Sequence, residues 1–157
     1  MGKKYSDGQS YKVIAFCLSC FSNDEQQRLI KKVVSECREH SCKVVFFSTL
    51  TDFCYGDIND AGEKKIFQTI SVECYDAIVI MAESFKQDEE QIALAKRAEE
   101  AKVPVIIVNK HMEYGIQVSF DYKEIFRKIV KHMVEDHGYR TINFMGGVPG
   151  ISYAEDR

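Results

Sequence analysis

The sequence predicts a doubly wound α/β fold with a parallel sheet, and three observations predict it. Four short apolar runs recur along the chain: YKVIAFCL at 11–18, KVVFFS at 43–48, DAIVIM at 76–81 and VPVIIVN at 103–109. The first is nearly continuous, where an alternating pattern would mark a strand with one wet face, so it suits a strand covered on both sides. Between them lie segments with a 3.6-residue apolar period, which make crossover connections and hence parallel neighbours.

Taken in order, the first strand is Tyr11 to Leu18. A helix follows from about Asp24 to His40, with Ser22, Asn23 or Asp24 as its cap and Leu29, Ile30, Val33, Val34 and Cys37 on one face. Lys43–Ser48 is the second strand, 51–60 a polar loop, and Ala61–Val72 a helix carrying Ile66, Phe67 and Ile70 inward. Asp76–Met81 is the third strand. An Ala- and Glu-rich helix at Asp88–Ala101 turns Ile92, Leu94, Ala95 and Ala98 to the core. Pro104 introduces a fourth strand at Val105–Asn109, and an extended piece at Ile116–Phe120 leads to a helix from Asp121 to about Asp136. Gly138 suits the end of that helix, and Thr141–Met145 is a further strand. No repeat or low-complexity linker interrupts the pattern.

Composition narrows the function. The 157 residues carry 21 basic and 24 acidic side chains, a net charge of -3, with no basic stripe of the kind that binds nucleic acid. No apolar run reaches the roughly 20 residues that span a bilayer, and the start, MGKKYSDGQS, lacks the apolar core of a secretory signal. The expected location is the cytoplasm. MGKKYS fits the loose myristoylation pattern, which is too short to carry weight. Six cysteines (17, 20, 37, 42, 54 and 74) in such a chain read as reduced thiols that behave as small hydrophobes.

Cys17 and Cys20 form a C-x-x-C where a strand meets a helix, the place where thioredoxin-like enzymes carry a reactive dithiol. A redox protein built on a flavodoxin-like sheet is therefore one reading. The bland one is a strand-ending cysteine with a second in the loop. Cys37, His40 and Cys42 lie near the start of the second strand, and a helix of about 16 residues separates them from Cys17 by roughly 20 Å, too far for one zinc ion. Asp57, Asn59 and Gly62 match part of a calcium loop, but Ala61 and Gln68 fall where ligands belong. The Gly146–Gly150 stretch lacks dinucleotide or P-loop spacing. His111, His132 and His137 have no Ser or Cys in a helpful register. No catalytic set and no cofactor are expected.

The C-terminal half resembles the effector-binding core of the lactose-repressor (LacI/GalR) family. The features are the strand Val103–Val108, then Val118–Asp121 opening a helix, the turn His137-Gly138-Tyr139-Arg140, the apolar run Thr141–Gly147 and Arg157. Ser22-Asn23-Asp24 before a long helix is similar to the family's Ser-Asn-Pro opening, and YDAIVIM looks like its Asp-Gly-Ile-Ile strand. The resemblance covers residues 12–157. It implies a periplasmic-binding-protein-like fold of two lobes clamping a small effector, usually a sugar or nucleobase. This chain departs from the family in that only ten residues precede the first strand, so no N-terminal DNA-binding headpiece is expected. Glu25 and Gln26 replace the aromatic pair that usually stacks on a ligand ring. GDINDAGEKKIF at 56–67 looks like sensor domains joined to GGDEF diguanylate cyclases.

The expected organisation is a disordered 1–10, an N-terminal lobe at 11–140, and the start of a second, largely missing lobe at 141–157. The expected function is sensing a sugar- or nucleoside-like effector, as a homodimer that is not itself an enzyme and touches neither nucleic acid nor membrane. A purely structural dimerisation lobe is a further alternative. Loops at the carboxyl ends of the strands should gather the ligand: Ser19, Cys20, Phe21, Ser22, Ser48, Thr49, Glu83, Ser84, Asn109 and Lys110. The resemblance adds Asp121 and Arg157, a carboxylate and a guanidinium suited to vicinal hydroxyls. Asp121 is equally placed to cap its helix.

Overall fold

The computed structural model describes residues 3–4, 10–21, 24–50, 60–85 and 89–146. In chain order the elements are β1 (Lys3–Lys4), β2 (Ser10–Leu18), α1 (Asp24–Glu39), β3 (Cys42–Ser48), α2 (Asp60–Glu63), β4 (Ala77–Ile80), α3 (Glu89–Glu100), β5 (Val105–Val108), β6 (Ile116–Val118) and α4 (Tyr122–Glu135). Two units are distinguished, Met1–Val118 and Ser119–Arg157.

In the first unit, β2 pairs in parallel with β3 on one side and β4 on the other, with Phe16 opposite both Phe46 and Val79. β4 pairs with β5 and β5 with β6, also in parallel. The five strands therefore run in the order β3-β2-β4-β5-β6, the doubly wound arrangement that the sequence predicts. β1 adds a short antiparallel pairing of Lys3 with Tyr11 and Lys4 with Ser10. These lysines fall within the 1–10 stretch expected to be disordered.

Alternation along β2 divides the core into two layers. Ala15 and Cys17 face one side with Ile78, Ile80, Leu94, Ala95, Ala98 and Ile107. Phe16 and Leu18 face the other with Met81, and Leu29, Ile30 and Val33 of α1 close over them. A strand covered on both faces has no wet side to alternate with, which is why its sequence reads as one apolar run. Asp76 secures the amino end of the β2–β4 pair. Its N–H donates to the Val13 carbonyl at 2.8 Å, and its Oδ2 accepts from the Val13 N–H at 2.7 Å.

Four expectations are corrected. Instead of one helix at 61–72 the chain makes the single turn α2 and then 3₁₀ turns at Lys64–Thr69 and Val72–Cys74. Phe67 and Ile70 stand three residues apart, so a three-residue turn buries both. The Arg97 guanidinium donates to the Phe67, Gln68 and Ile70 carbonyls and so satisfies the turn's end. In α3 the buried stripe is Gln91, Leu94, Ala95 and Ala98, which leaves Ile92 39% exposed. β5 ends at Val108, because Asn109 adopts a left-handed φ of 57°. Residues 141–146 form no strand; extended chain becomes a strand only against a neighbour that takes its backbone hydrogen bonds, and none pairs with them among the described residues.

α3 ends in a left-handed Lys102 at φ 58°, with Val103 N–H returning to the Ala98 carbonyl and Lys102 N–H to Glu99. In the second unit Gly138, φ 70°, turns the chain out of α4, and Tyr139 N–H closes on the Met133 carbonyl at 3.1 Å. Phe126 of α4 meets Phe144 edge-on at 5.7 Å. The Phe126–Phe144 contact joins α4 to the residues after it within the second unit. The polar loop at 51–59, with Cys54, Asp57 and Asn59, lies outside the described residues, as do Val148 and the two glycines flanking it with Pro149.

Gly115 carries a testable consequence. Its φ is 87°, and a Cβ there would stand 3.1 Å from the Val105 carbonyl oxygen and 3.2 Å from Ile107 Cγ1. Gly115→Ala should cost about 2 kcal/mol, from the left-handed backbone and the crowding together. Urea unfolding of the two proteins measures it.

Candidate functional site

The strand order fixes where the loops converge. From β2 the chain crosses by way of α1 to β3 on one side, and β4 then lies on the other side of β2. The carboxyl ends of β2 and β4 therefore flank the point where the winding reverses, where a doubly wound sheet leaves a crevice.

Ser19 and Ser84 join across this point. The Ser19 N–H donates to Ser84 Oγ at 3.0 Å, and the Ser19 hydroxyl donates to the Ser84 carbonyl. Ser84 Oγ in turn donates to the Met81 carbonyl at 2.7 Å. Both serines are buried, 5% and 7% exposed. Their hydroxyls thus tie the post-β2 loop to the post-β4 turn at Ala82–Ser84, and their donor protons are already used. Met81 N–H, bonded to the Cys17 carbonyl at 2.9 Å, continues the ladder into the same knot.

The next loop is locked in the same way. Cys20 N–H donates to the Thr49 carbonyl at 3.1 Å, Thr49 N–H to the Leu18 carbonyl at 3.4 Å, and Ser48 Oγ to the Thr49 carbonyl at 2.8 Å. Thr49 is buried, while Ser48 and Cys20 are half-buried. Cys20 holds a left-handed φ of 52°. Such a backbone on a side-chain-bearing residue costs about 1 kcal/mol or more, which the Thr49 bond offsets. It also swings the following Phe21 out of the β2 line, leaving the ring 42% exposed and edge-on to Phe46 at 6.3 Å.

Beyond β5, Asn109 is buried and its N–H donates to the Val118 carbonyl at 2.9 Å. Lys110 and Glu83 are half-buried. Sequence reasoning gave no weight to Gln117, which braces this loop: its Oε1 lies 2.6 Å from His111 Nδ1 and its Nε2 donates to the Met112 carbonyl at 2.6 Å. The only sequence signal was a polar residue in an otherwise apolar edge strand. Ser19, Cys20, Phe21, Ser48, Thr49, Glu83, Ser84, Asn109 and Lys110 thus all lie at the carboxyl edge of the first unit. Ser22 and Arg157 lie outside the described residues. Asp121 belongs to the second unit, where it caps α4 by accepting the Glu124 N–H at 2.9 Å.

The C-x-x-C does not present two thiolates. Cys17 is 1% exposed within β2, and burial raises its thiol from the ordinary 9.0 to about 12. A thiol so held is neutral near pH 7 and a poor nucleophile. Among the described residues no group of three or more His, Cys, Asp or Glu side chains is placed to hold a metal ion. No described helix is long and apolar enough to cross a membrane.

No protein-family model matches the chain, and comparison with curated proteins finds none similar in sequence. Solved structures do match in fold. The lac repressor dimer bound to operator and the anti-inducer ONPF is 15% identical, with a TM-score of 0.67 over 96% of this chain and 43% of its own. A periplasmic solute-binding protein of an ABC transporter from Actinobacillus succinogenes with bound D-allose is 15% identical, TM-score 0.71, over 93% of this chain and 52% of its own. An ABC transporter solute-binding protein from Clostridium phytofermentans with bound β-D-glucose is 11% identical, TM-score 0.67, over 92% and 45%. The chain spans about half the length of these structures, and it has the periplasmic-binding-protein-like fold as a single lobe.

Proposed function

We propose that this chain is the effector-sensing part of a LacI/GalR-like regulator or signalling protein, and that the carboxyl-edge loops of its first unit form one wall of a site for a sugar-like molecule. The observation that carries the reading is Phe21, an exposed ring braced by Phe46 directly beside the locked Ser19–Ser84 knot. A flat aromatic face offers apolar area to the C–H face of a sugar ring, while neighbouring polar groups orient its hydroxyls. Cys20, Thr49, Glu83, Asn109 and Lys110 supply those groups, and Ser48, whose proton is held by the Thr49 carbonyl, offers its lone pairs. Ser19 and Ser84 act by holding the loops in place. The bound D-allose and β-D-glucose in two proteins of the same fold support a sugar as the effector.

The family resemblance also assigns Asp121 and Arg157 to effector binding. The sequence at 56–67 supports an output domain such as a GGDEF diguanylate cyclase. A net charge of -3 without a basic stripe supports regulation without direct contact to nucleic acid, and we place it in the cytoplasm. Pairing of two copies belongs to the same reading.

Three measurements test it. The chain alone presents one wall, so calorimetry should give dissociation constants for simple sugars around millimolar. Phe21→Ala should weaken that binding by about tenfold, the loss of roughly 1.4 kcal/mol of ring contact, with unchanged unfolding. Micromolar binding by this chain, or indifference to Phe21→Ala, overturns the proposed wall.

Asp121→Asn keeps a capping side chain that still accepts from Glu124, so stability should change by less than about 1 kcal/mol. In the intact protein the effector response should fall by about tenfold, as expected for one charge-assisted hydrogen bond. An unchanged response reduces Asp121 to a cap.

Alkylation separates sensor from dithiol enzyme. Native Cys17 should resist a thiol reagent at neutral pH, and its contribution to stability has a definite sign. With the folded thiol raised, that contribution is complete below about pH 9 and is lost as the pH rises toward 12, because the unfolded chain releases the proton first. Rapid native alkylation of Cys17 near pH 7 would restore the redox reading.

A further inference from the structure

The end of α4 carries a group of side chains that the proposed sugar site does not use. His132 and His137 bring their Nε2 atoms to 3.0 Å. Their rings are perpendicular, at 89°, with centroids 4.7 Å apart. That centroid distance is too short for two imidazoles meeting head to head, so the rings approach at an angle. Behind His132, Nδ1 lies 2.5 Å from Asp136 Oδ2. An ionised carboxylate only accepts, so the proton sits on Nδ1 and leaves a lone pair on Nε2. Behind His137, Tyr139 stacks on the ring at 5.7 Å and 22°. His132 and Asp136 are 60% and 65% exposed, so an ion from solution reaches them.

We propose that His132 and His137 form a two-histidine site for a divalent transition-metal ion of the nickel or copper class. Each ring is held from behind, and a carboxylate on the far nitrogen of a ligating imidazole is the usual support of such a ligand. The distance lets one ion reach both nitrogens. Two nitrogens 3.0 Å apart, each about 2.0–2.1 Å from a shared ion, subtend roughly 95° at it. That is a cis angle of the tetragonal sites that nickel and copper prefer, and narrower than the roughly 109° of tetrahedral zinc. On binding, the ion takes the place of the hydrogen bond between the rings, and His137 carries its proton on Nδ1. No third His, Cys, Asp or Glu ligand joins them among the described residues, so water completes the coordination.

Nickel is the probe, because cupric ion would oxidise the thiols of a six-cysteine chain. Calorimetric titration of the whole chain with nickel chloride should show one equivalent bound. His132→Gln and His137→Gln should each weaken it by about tenfold or more, and Asp136→Asn by a comparable factor. His40→Gln removes the histidine beside Cys42 and should leave nickel affinity within about twofold. Circular dichroism checks that the variants keep their helix. If they do not, paramagnetic broadening of the His132 and His137 imidazole resonances in the unaltered protein gives the same answer. Absence of nickel binding, an affinity unmoved by both variants, or loss with His40→Gln overturns the proposal.

Discussion

Everything in the first unit depends on β2 being hydrogen-bonded on both edges and covered on both faces. Seven consecutive residues, Lys12 to Leu18, pair with β3, and four of them pair also with β4. Ala15 and Leu18 have no exposed surface and Cys17 has 1%. A strand so enclosed admits only side chains without unmet polar groups, and Cys17 fits as a small hydrophobe. Parallel neighbours on both sides oblige the chain to cross one face and then the other. The point where it changes face is the point where its loops meet. The same burial that raises the Cys17 thiol therefore also places Ser19 and Ser84 at the crevice.

Much of this was legible in sequence. The apolar runs located β2, β3, β4 and β5 to within a residue or two. Burial on both faces erases alternation in β2, whereas β3, paired only with β2, alternates in exposure and leaves Val45 39% exposed. The capping side chain of Asp121 and the left-handed Gly138 were readable from local chemistry. What escaped depended on distant partners. The 61–72 pattern fits a helix equally well until Arg97, more than twenty residues on, takes the carbonyls of a 3₁₀ turn. Thr141–Met145 has strand composition, but composition supplies no neighbouring strand. Ile92 and Gln91 exchange roles through a rotation of one position, which a periodicity of 3.6 does not resolve in a twelve-residue helix.

The candidate site was legible as a place and less so as a set of roles. Topology put nine of the expected residues at one edge. Which of them are engaged with the protein itself followed only from the hydrogen bonds. The His132–His137 pair had a sequence signal too, a spacing of five residues across a helix end. That spacing alone is not one that identifies a metal site, because only the turn after α4 brings the two rings together.

The bonds at the crevice set out a division of labour. A hydroxyl that donates to a backbone carbonyl in a buried site has given up its proton, and withdrawing it to serve a ligand would leave that carbonyl unsatisfied, at about 1–3 kcal/mol. Ser19 and Ser84 are in that position, so they hold the two loops in one arrangement. Rigidity of this kind lowers the ordering cost of binding. It also accounts for Cys20: a left-handed backbone on a residue with a side chain persists only where surrounding bonds over-determine it, and the Thr49 carbonyl supplies one at the required place. The strain leaves Phe21 as the exposed ring at the switch point. Its edge-on contact with Phe46 at 6.3 Å holds the ring there, and Phe46 in turn meets Phe16 at 5.4 Å. The exposure of Phe21 therefore follows from the locked geometry of its neighbours.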